Sequence, residues 1–297
     1  MKVLCFFNMV FELRNEQLKV SAGIKGAEIT SVLYNGREYI WQAQGDIWPR
    51  HAPVLFPVVG KLKSDSYHYS GKEYSLTQHG FARDQDFSFV YKTNTELELE
   101  LIQNDDTLLR YPFIFKLTIK YKLTGNKLEC LYRVTNTSGT EKLLFSIGAH
   151  PGFRIPLAEG ESFSDYVLEF TDGNFYKLSE LSGGLISGQT KDLMLLNGRL
   201  PLDVQLFEKD ALVFEGSQIN CVTLKSLKLH HGVKMHCDGW PFFGIWSKPG
   251  CDKFVCLEPW YGVADSVTAS GEIAEKKGII SLMPGEFFNC RYSIEFF

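Results

Sequence analysis

The chain has 297 residues, a formal net charge of −4, and 44% hydrophobic and 14% aromatic residues. That apolar share builds a substantial core, and the slight acidic excess argues against a nucleic-acid surface, which carries a basic one. No stretch approaches the roughly 20 apolar residues of a membrane helix, so no membrane partner is expected and a small-molecule ligand is. The cysteines, Cys5, Cys130, Cys221, Cys237, Cys251, Cys256 and Cys290, are scattered and form no CxxC pair. That spacing indicates neither a disulfide framework nor a zinc knuckle, and it fits a reducing cytoplasm.

Met1 to Asn8 is too short and too early broken for a signal peptide. Met9, followed by Val-Phe-Glu-Leu, would make a natural start, so residues 1–8 are expected to be an extension from an upstream start. Period-2 alternation follows. Ala27 to Tyr34 and Glu38 to Trp41 flank Asn35-Gly36, a strong hairpin signal. Leu97 to Leu101 alternates strictly, as a half-buried strand does. Phe115, Leu117, Ile119, Tyr121 and Leu123 share one face, with Lys116, Thr118, Lys120 and Lys122 on the other. Thr124-Gly125-Asn126 turns this strand into a second one carrying Leu128, Cys130, Tyr132 and Val134. Tyr176 to Arg199, rich in Gly and Ser, reads as loops with one helical turn. Phe288, Cys290, Tyr292, Ile294 and Phe296 form a last alternating strand. Many strands, no helical period and no low-complexity linker predict one all-β domain over residues 1–297, a large sandwich.

Polar stretches interrupt this pattern and carry the candidate chemistry. Trp48 to Lys61 holds three prolines and is at most an edge strand. Gln78-His79-Gly80-Phe81-Ala82-Arg83 follows a hairpin, and Gly80 would let the backbone approach a ligand closely. His79 and Phe81 are candidate contacts, although a His fixed by backbone groups at a turn gives the same sequence. Lys61 and Arg83 are cations suited to hydroxyls or phosphate, or ordinary surface charges. His150 ends a strand from Phe145 to Ala149, with Pro151 blocking its continuation. Phe254 to Leu257 is a second apolar strand, ended by Glu258, with Pro259 expected to stop regular pairing. Trp260 and Tyr261 follow. A carboxylate at the lip of a strand beside aromatic rings suits a sugar, whose C–H face stacks on the rings while the carboxylate handles hydroxyl protons. The bland alternative is an acid that accepts backbone hydrogen bonds in a loop. His230, His231 and His236 cluster in sequence, but no Cys or carboxylate completes a metal spacing, and no metal is expected. P-loop, GxGxxG and GxSxG signals are absent.

The ordered set of His79 in QHGFAR, His150 in GAHPGF and Glu258 in LEPW resembles the aldose 1-epimerase (galactose mutarotase) superfamily across essentially the whole chain. The LacX-type branch is the most similar in detail, and HGFAR is shared with the hexose-6-phosphate mutarotase-like branch. The resemblance implies a galactose-mutarotase-like β-supersandwich that interconverts α and β anomers of a hexose, with a free or phosphorylated aldose as partner. Glu258 would be the general base on the anomeric hydroxyl and His150 the general acid at the ring oxygen. His79 would hydrogen-bond the sugar near the reacting oxygens, and Asp210 would bind a hydroxyl. Opening a hemiacetal needs an acid and a base and no redox change, so no cofactor is expected. Lys61 stands where galactose mutarotases carry Arg, and Ala149-His150-Pro151 replaces their Asn-His, so hydroxyl recognition differs while acid and base stay in place. A phosphate on the sugar would call on Arg83, Lys61 or Arg50. A sugar sensor that binds without turnover is the remaining alternative; Trp260 and Trp246 are candidate peripheral substrate contacts, with core packing as the alternative for each.

Overall fold

The computed structural model describes residues 9–297; the expected extension, residues 1–8, lies outside the described residues. Among the described residues nearly all regular structure is antiparallel strand, with one short α-helix, Asp105–Arg110. Two large sheets dominate. The nine-stranded sheet is ordered Arg199–Pro201, Tyr166–Phe170, Cys221–Ser226, Gly232–His236, Phe287–Phe296, Lys127–Asn136, Phe115–Thr124, Glu96–Ile102, Ser88–Lys92. The eight-stranded sheet runs Leu185–Met194, Phe175–Ser182, Leu212–Glu215, Phe242–Trp246, Phe254–Tyr261, Ile147–Ala149, Val54–Leu55, with Gly152–Arg154 also paired to Phe254–Tyr261. A smaller four-stranded sheet opens the described chain at Val10–Arg14.

The alternation read from the sequence sets this arrangement. Phe115, Leu117, Ile119, Tyr121 and Leu123 are all buried, and they share one core with Val255, Leu257, Phe243 and Ile245 of the other sheet. Asn35 and Gly36 turn the expected hairpin with φ of +50° and +77°. Val54–Leu55 is the edge of its sheet, as the flanking prolines require.

Three expectations change. Tyr176 to Arg199 is a long hairpin, Phe175–Ser182 with Leu185–Met194, turning on Gly183 and Gly184 at φ +59° and +81°. Its outer strand is largely exposed, so its polar composition hid a real strand. The strand through Glu258 continues past Pro259 to Tyr261. Leu257 donates its N–H to the Pro151 carbonyl (3.2 Å), so the nitrogen of Pro259, two residues on, faces the same side, where the neighbouring chain breaks between Ile147–Ala149 and Gly152–Arg154. No donor is needed there. The strand expected from Phe145 to Ala149 splits at Ser146, whose hydroxyl accepts the Val59 N–H at 2.9 Å.

The histidines near 230 do not converge. His231 is buried against Glu161 (2.9 Å) and Arg37 (2.7 Å), His230 packs on the Phe297 ring, and His236 sits 4.0 Å from Glu295.

Candidate active site

Alternation along Phe254–Tyr261 decides where Glu258 points. Val255 and Leu257 enter the core between the sheets, whereas Phe254, Cys256, Glu258 and Trp260 face the other side of the eight-stranded sheet. Gly244 is the register partner of Glu258, and Gly148 that of Trp260. A Cβ on Gly244 would lie 2.3 Å from the Trp260 six-membered ring, and one on Gly148 2.7 Å from its Cδ1. Bare backbone on both neighbouring strands therefore gives the indole its place. Glu258 is 1% exposed, and its Oε1 has no hydrogen-bond partner among the described residues.

His150 follows the strand Ile147–Ala149 and meets Glu258 directly, with Nε2 3.2 Å from Oε2. Its ring is stacked on Trp48 (centroids 5.0 Å apart, 29° between planes), with Trp246 edge-on at 5.7 Å and His79 perpendicular at 5.6 Å. Its Nδ1 is buried without a partner among the described residues.

His79 and Gly80 both take left-handed backbone, φ +67° and +69°. For His79 this is a strained conformation that the surroundings must enforce. They do so through Gly60, whose carbonyl accepts the His79 N–H (3.0 Å) and whose N–H donates to His79 Nδ1 (3.1 Å). Nδ1 is thus an acceptor, so the neutral ring carries its proton on Nε2, 3.2 Å from the Gln78 side-chain amide, which accepts it only with its oxygen turned to the ring.

One cavity of about 680 Å³ brings together His79, His150, Glu258, Lys61, Arg83, Asp210 and Trp260. Lys61 Nζ reaches the Gly183 carbonyl at 3.4 Å, Arg83 donates to the Gln78 carbonyl at 2.6 Å, and Asp210 accepts the Ala211 N–H at 2.7 Å. Phe81 is not part of this set. The left-handed pair at His79 and Gly80 turns the imidazole into the cavity and sends Phe81 into the core, 1% exposed, against Phe56, Tyr111 and Phe115. Arg50 is tied to Asp84 (2.9 Å) and does not line the cavity. Trp246 lines it as expected, and the sequence reading missed Trp48, Leu181 and the turn Gly183-Gly184. A diglycine between two alternating runs is a hairpin signal that could have placed the last of these. Trp48 left no such trace.

Burial governs the titration of the site. It holds Glu258 well above the usual carboxylate range, opposed by the neighbouring Trp260 indole N–H and reinforced by the Asp210 charge. It pushes His150 down to about 3, with Arg83 and Arg50 adding to the shift. His79 is lowered well below 6.5, by burial first and His150 next. Arg83 falls to about 10 through burial and Arg50, and stays cationic at neutral pH. His150, Cys256 and Glu258 also bring a nitrogen, a sulfur and a carboxylate oxygen within 4.8 Å of one another, the donor set that could hold a metal. Burial keeps the Cys256 thiol well above its ordinary value and hence protonated.

The site can therefore exchange a proton between a carboxyl and an imidazole within a walled cavity that also offers hydroxyl-binding groups and an indole. Comparison with known proteins gives the family. The family model described as aldose 1-epimerase matches residues 9–294. The plasmid form of protein LacX from Lactococcus lactis subsp. lactis is 31% identical over 295 residues, covering 96% of this chain and 99% of that protein. A galactose mutarotase related enzyme from Lactobacillus acidophilus superposes with a TM-score of 0.92 at 37% identity, over 97% of both chains. A galactose mutarotase-like protein from Lactobacillus casei gives 0.91 at 29% identity, over 97% of this chain and 100% of that one. The chain belongs to the aldose 1-epimerase family, with a galactose mutarotase-like β-sandwich and the character of an isomerase of the aldose epimerase type.

Proposed function

We propose that the protein is a cofactor-independent mutarotase for an unphosphorylated hexose, with Glu258 and His150 as its proton-transfer pair. The observation that carries this reading is the 3.2 Å contact between His150 Nε2 and Glu258 Oε2 beside an unpartnered, buried Glu258 Oε1. In ring opening the Glu258 carboxylate takes the proton of the anomeric hydroxyl. The bond from C1 to the ring oxygen breaks, its electron pair goes to that oxygen, and the His150 imidazolium protonates it. Rotation about C1–C2 and the reverse transfers close the ring on the other face. The two groups need one proton between them throughout, and a carboxyl beside a neutral imidazole is the same proton count as a carboxylate beside an imidazolium. His79, with Nε2–H available, donates to a sugar oxygen. Lys61, Arg83 and Asp210 bind hydroxyls, and Trp260 takes the C–H face.

Charge favours the free sugar. Asp65 and Asp210 line the cavity with Lys61 and Arg83, and the Glu258–His150 pair carries no net charge, a balance that suits a neutral ligand better than a phosphate dianion. Saturation-transfer NMR between anomers, run across D-glucose, D-galactose and their 6-phosphates, tests the reading. The expectation is faster exchange for a free sugar with no advantage from the phosphate. A phosphate preference would replace the substrate named here, and sugar binding without faster exchange would make the protein a sensor.

A further inference from the structure

A second charged pair lies behind the cavity wall, and no step above uses it. Lys276 and Asp265 are 8% and 5% exposed, with Nζ 3.2 Å from Oδ1, and the ammonium also donates to the Val263 carbonyl. The other carboxylate oxygen of Asp265 accepts the Lys63 N–H at 2.9 Å. Its backbone N–H donates to the Lys61 carbonyl (2.9 Å), and its carbonyl accepts the Ile186 N–H (2.8 Å). These partners belong to three separate walls of the cavity: the segment through Gly60 and Lys61, the segment Val263-Ala264, and the hairpin that turns at Gly183-Gly184.

The connection reaches His79 without slack. Gly60 exchanges two hydrogen bonds with His79, one of which fixes the imidazole tautomer. A Cβ on Gly60 would lie 2.4 Å from the Ala264 backbone, so the two segments are in direct backbone contact. Packing alone would be served by apolar residues here, since a buried ion pair seldom gains over them. What the pair supplies is a carboxylate able to bind two segments at once, with a counter-charge that makes it tolerable in the interior.

We propose that Asp265 and Lys276 are positioning residues whose side chains register the segment through Gly60 and Lys61 against Val263-Ala264, to which the hairpin is joined by the Asp265 carbonyl, and thereby hold His79 and Lys61 against the sugar, a role that rests on the mutarotase reading. Lys276→Met leaves the carboxylate without its counter-charge, Lys276→Arg keeps the charge, and Leu117→Ala in the core of the nine-stranded sheet is the control for lost stability. Two quantities are read on each folded variant: kcat/KM for anomer exchange of D-glucose and D-galactose, and the ¹⁵N resonances of the His79 ring. The expected result for Lys276→Met is a fall in kcat/KM of roughly tenfold or more, with KM rising more than kcat falls, and a His79 Nδ1 resonance displaced from its hydrogen-bonded acceptor position. Lys276→Arg restores most of both, and Leu117→Ala moves neither. If Lys276→Met does not fold, Lys276→Gln, which keeps a donor without the charge, is read by the same criteria. A lysine variant that lowers the melting temperature yet leaves kcat/KM and the His79 resonances as in the wild type would overturn the proposal. Should the wild type fail to accelerate exchange at all, the mutarotase reading falls, while the His79 resonances still decide whether the pair sets that side chain.

Discussion

Glu258 and His150 are a carboxyl and an imidazole whose ordinary pKa values would leave them oppositely charged at neutral pH, and burial moves both toward neutrality. The sign of each shift fixes the pH profile. The pair gains a second proton, and Glu258 can no longer act as base, only as pH falls toward about 3, where His150 titrates. It loses its single proton only as pH rises through the elevated value of Glu258. The expected kcat/KM profile, corrected for buffer catalysis, is therefore a plateau whose acid limb lies near 3, well below the ordinary 6.5 of His150, and whose alkaline limb lies well above the ordinary 4.5 of Glu258. A narrow bell between 4.5 and 6.5 would mean that the groups titrate independently in a wet site. Glu258 and His150 were legible in the sequence because each ends an apolar run at a Pro, and His79 because Gly80 follows it in a loop after a hairpin. Phe81 misled because a left-handed pair of residues reverses which side chain faces the cavity, and sequence shows no φ. Trp48 was illegible because its stacking on His150 joins segments about a hundred residues apart (48 to 150).

At the scale of the elements, period-2 alternation carries the site. It put Glu258 and Trp260 on the face opposite Val255 and Leu257, and the same period predicted the central strands and the Asn35-Gly36 hairpin. Gly244 supplies what alternation cannot, room for the indole across the ladder. Gly244→Ala should destabilise the fold by about 1–3 kcal/mol, since the contact is with a rigid ring, and should displace Trp260 with a shift in its fluorescence and weaker sugar binding. Gly139→Ala, with nothing within 4 Å of the added Cβ, should do neither. Equal behaviour of the two variants would remove Gly244 from this account. The misread elements share one cause. Pro259 and the stretch from 176 to 199 were judged by local propensity, whereas the first faces a break in its neighbour and the second is an exposed outer hairpin.

At the scale of the molecule, a buried cluster joins the segment after His150 to the nine-stranded sheet and the start of the chain. Glu161 meets His231 (2.9 Å), Tyr166 and Ser226, and Arg37 Nη1 donates to His231 Nδ1 at 2.7 Å. His231 is therefore neutral, with its proton on Nε2 toward Glu161, and burial holds its pKa below 6.5. An unfolded His takes up a proton near pH 6.5 and the folded one does not, so this stability is complete above 6.5 and is lost as pH falls from there through the lowered folded value. For Glu161 burial is outweighed by the bonds from Ser226, Tyr166 and His231, which lower its pKa below 4.5 and extend the loss to more acid pH. The unfolding free energy from urea titrations should fall as pH drops below 6.5, and His231→Gln should flatten that slope. An unchanged slope would place the acid-sensitive groups elsewhere. None of this clustering was visible in the sequence, where His231 looked like one member of a histidine run.

The measurement that bears most directly on the account is saturation-transfer NMR between the anomers of the best free aldose, wild type beside Glu258→Gln. The amide keeps the shape of the carboxyl and cannot take a proton. The account predicts exchange well above the buffer rate for the wild type and a loss of roughly 100-fold or more in the variant, with the fold retained. Full exchange activity in Glu258→Gln would contradict it.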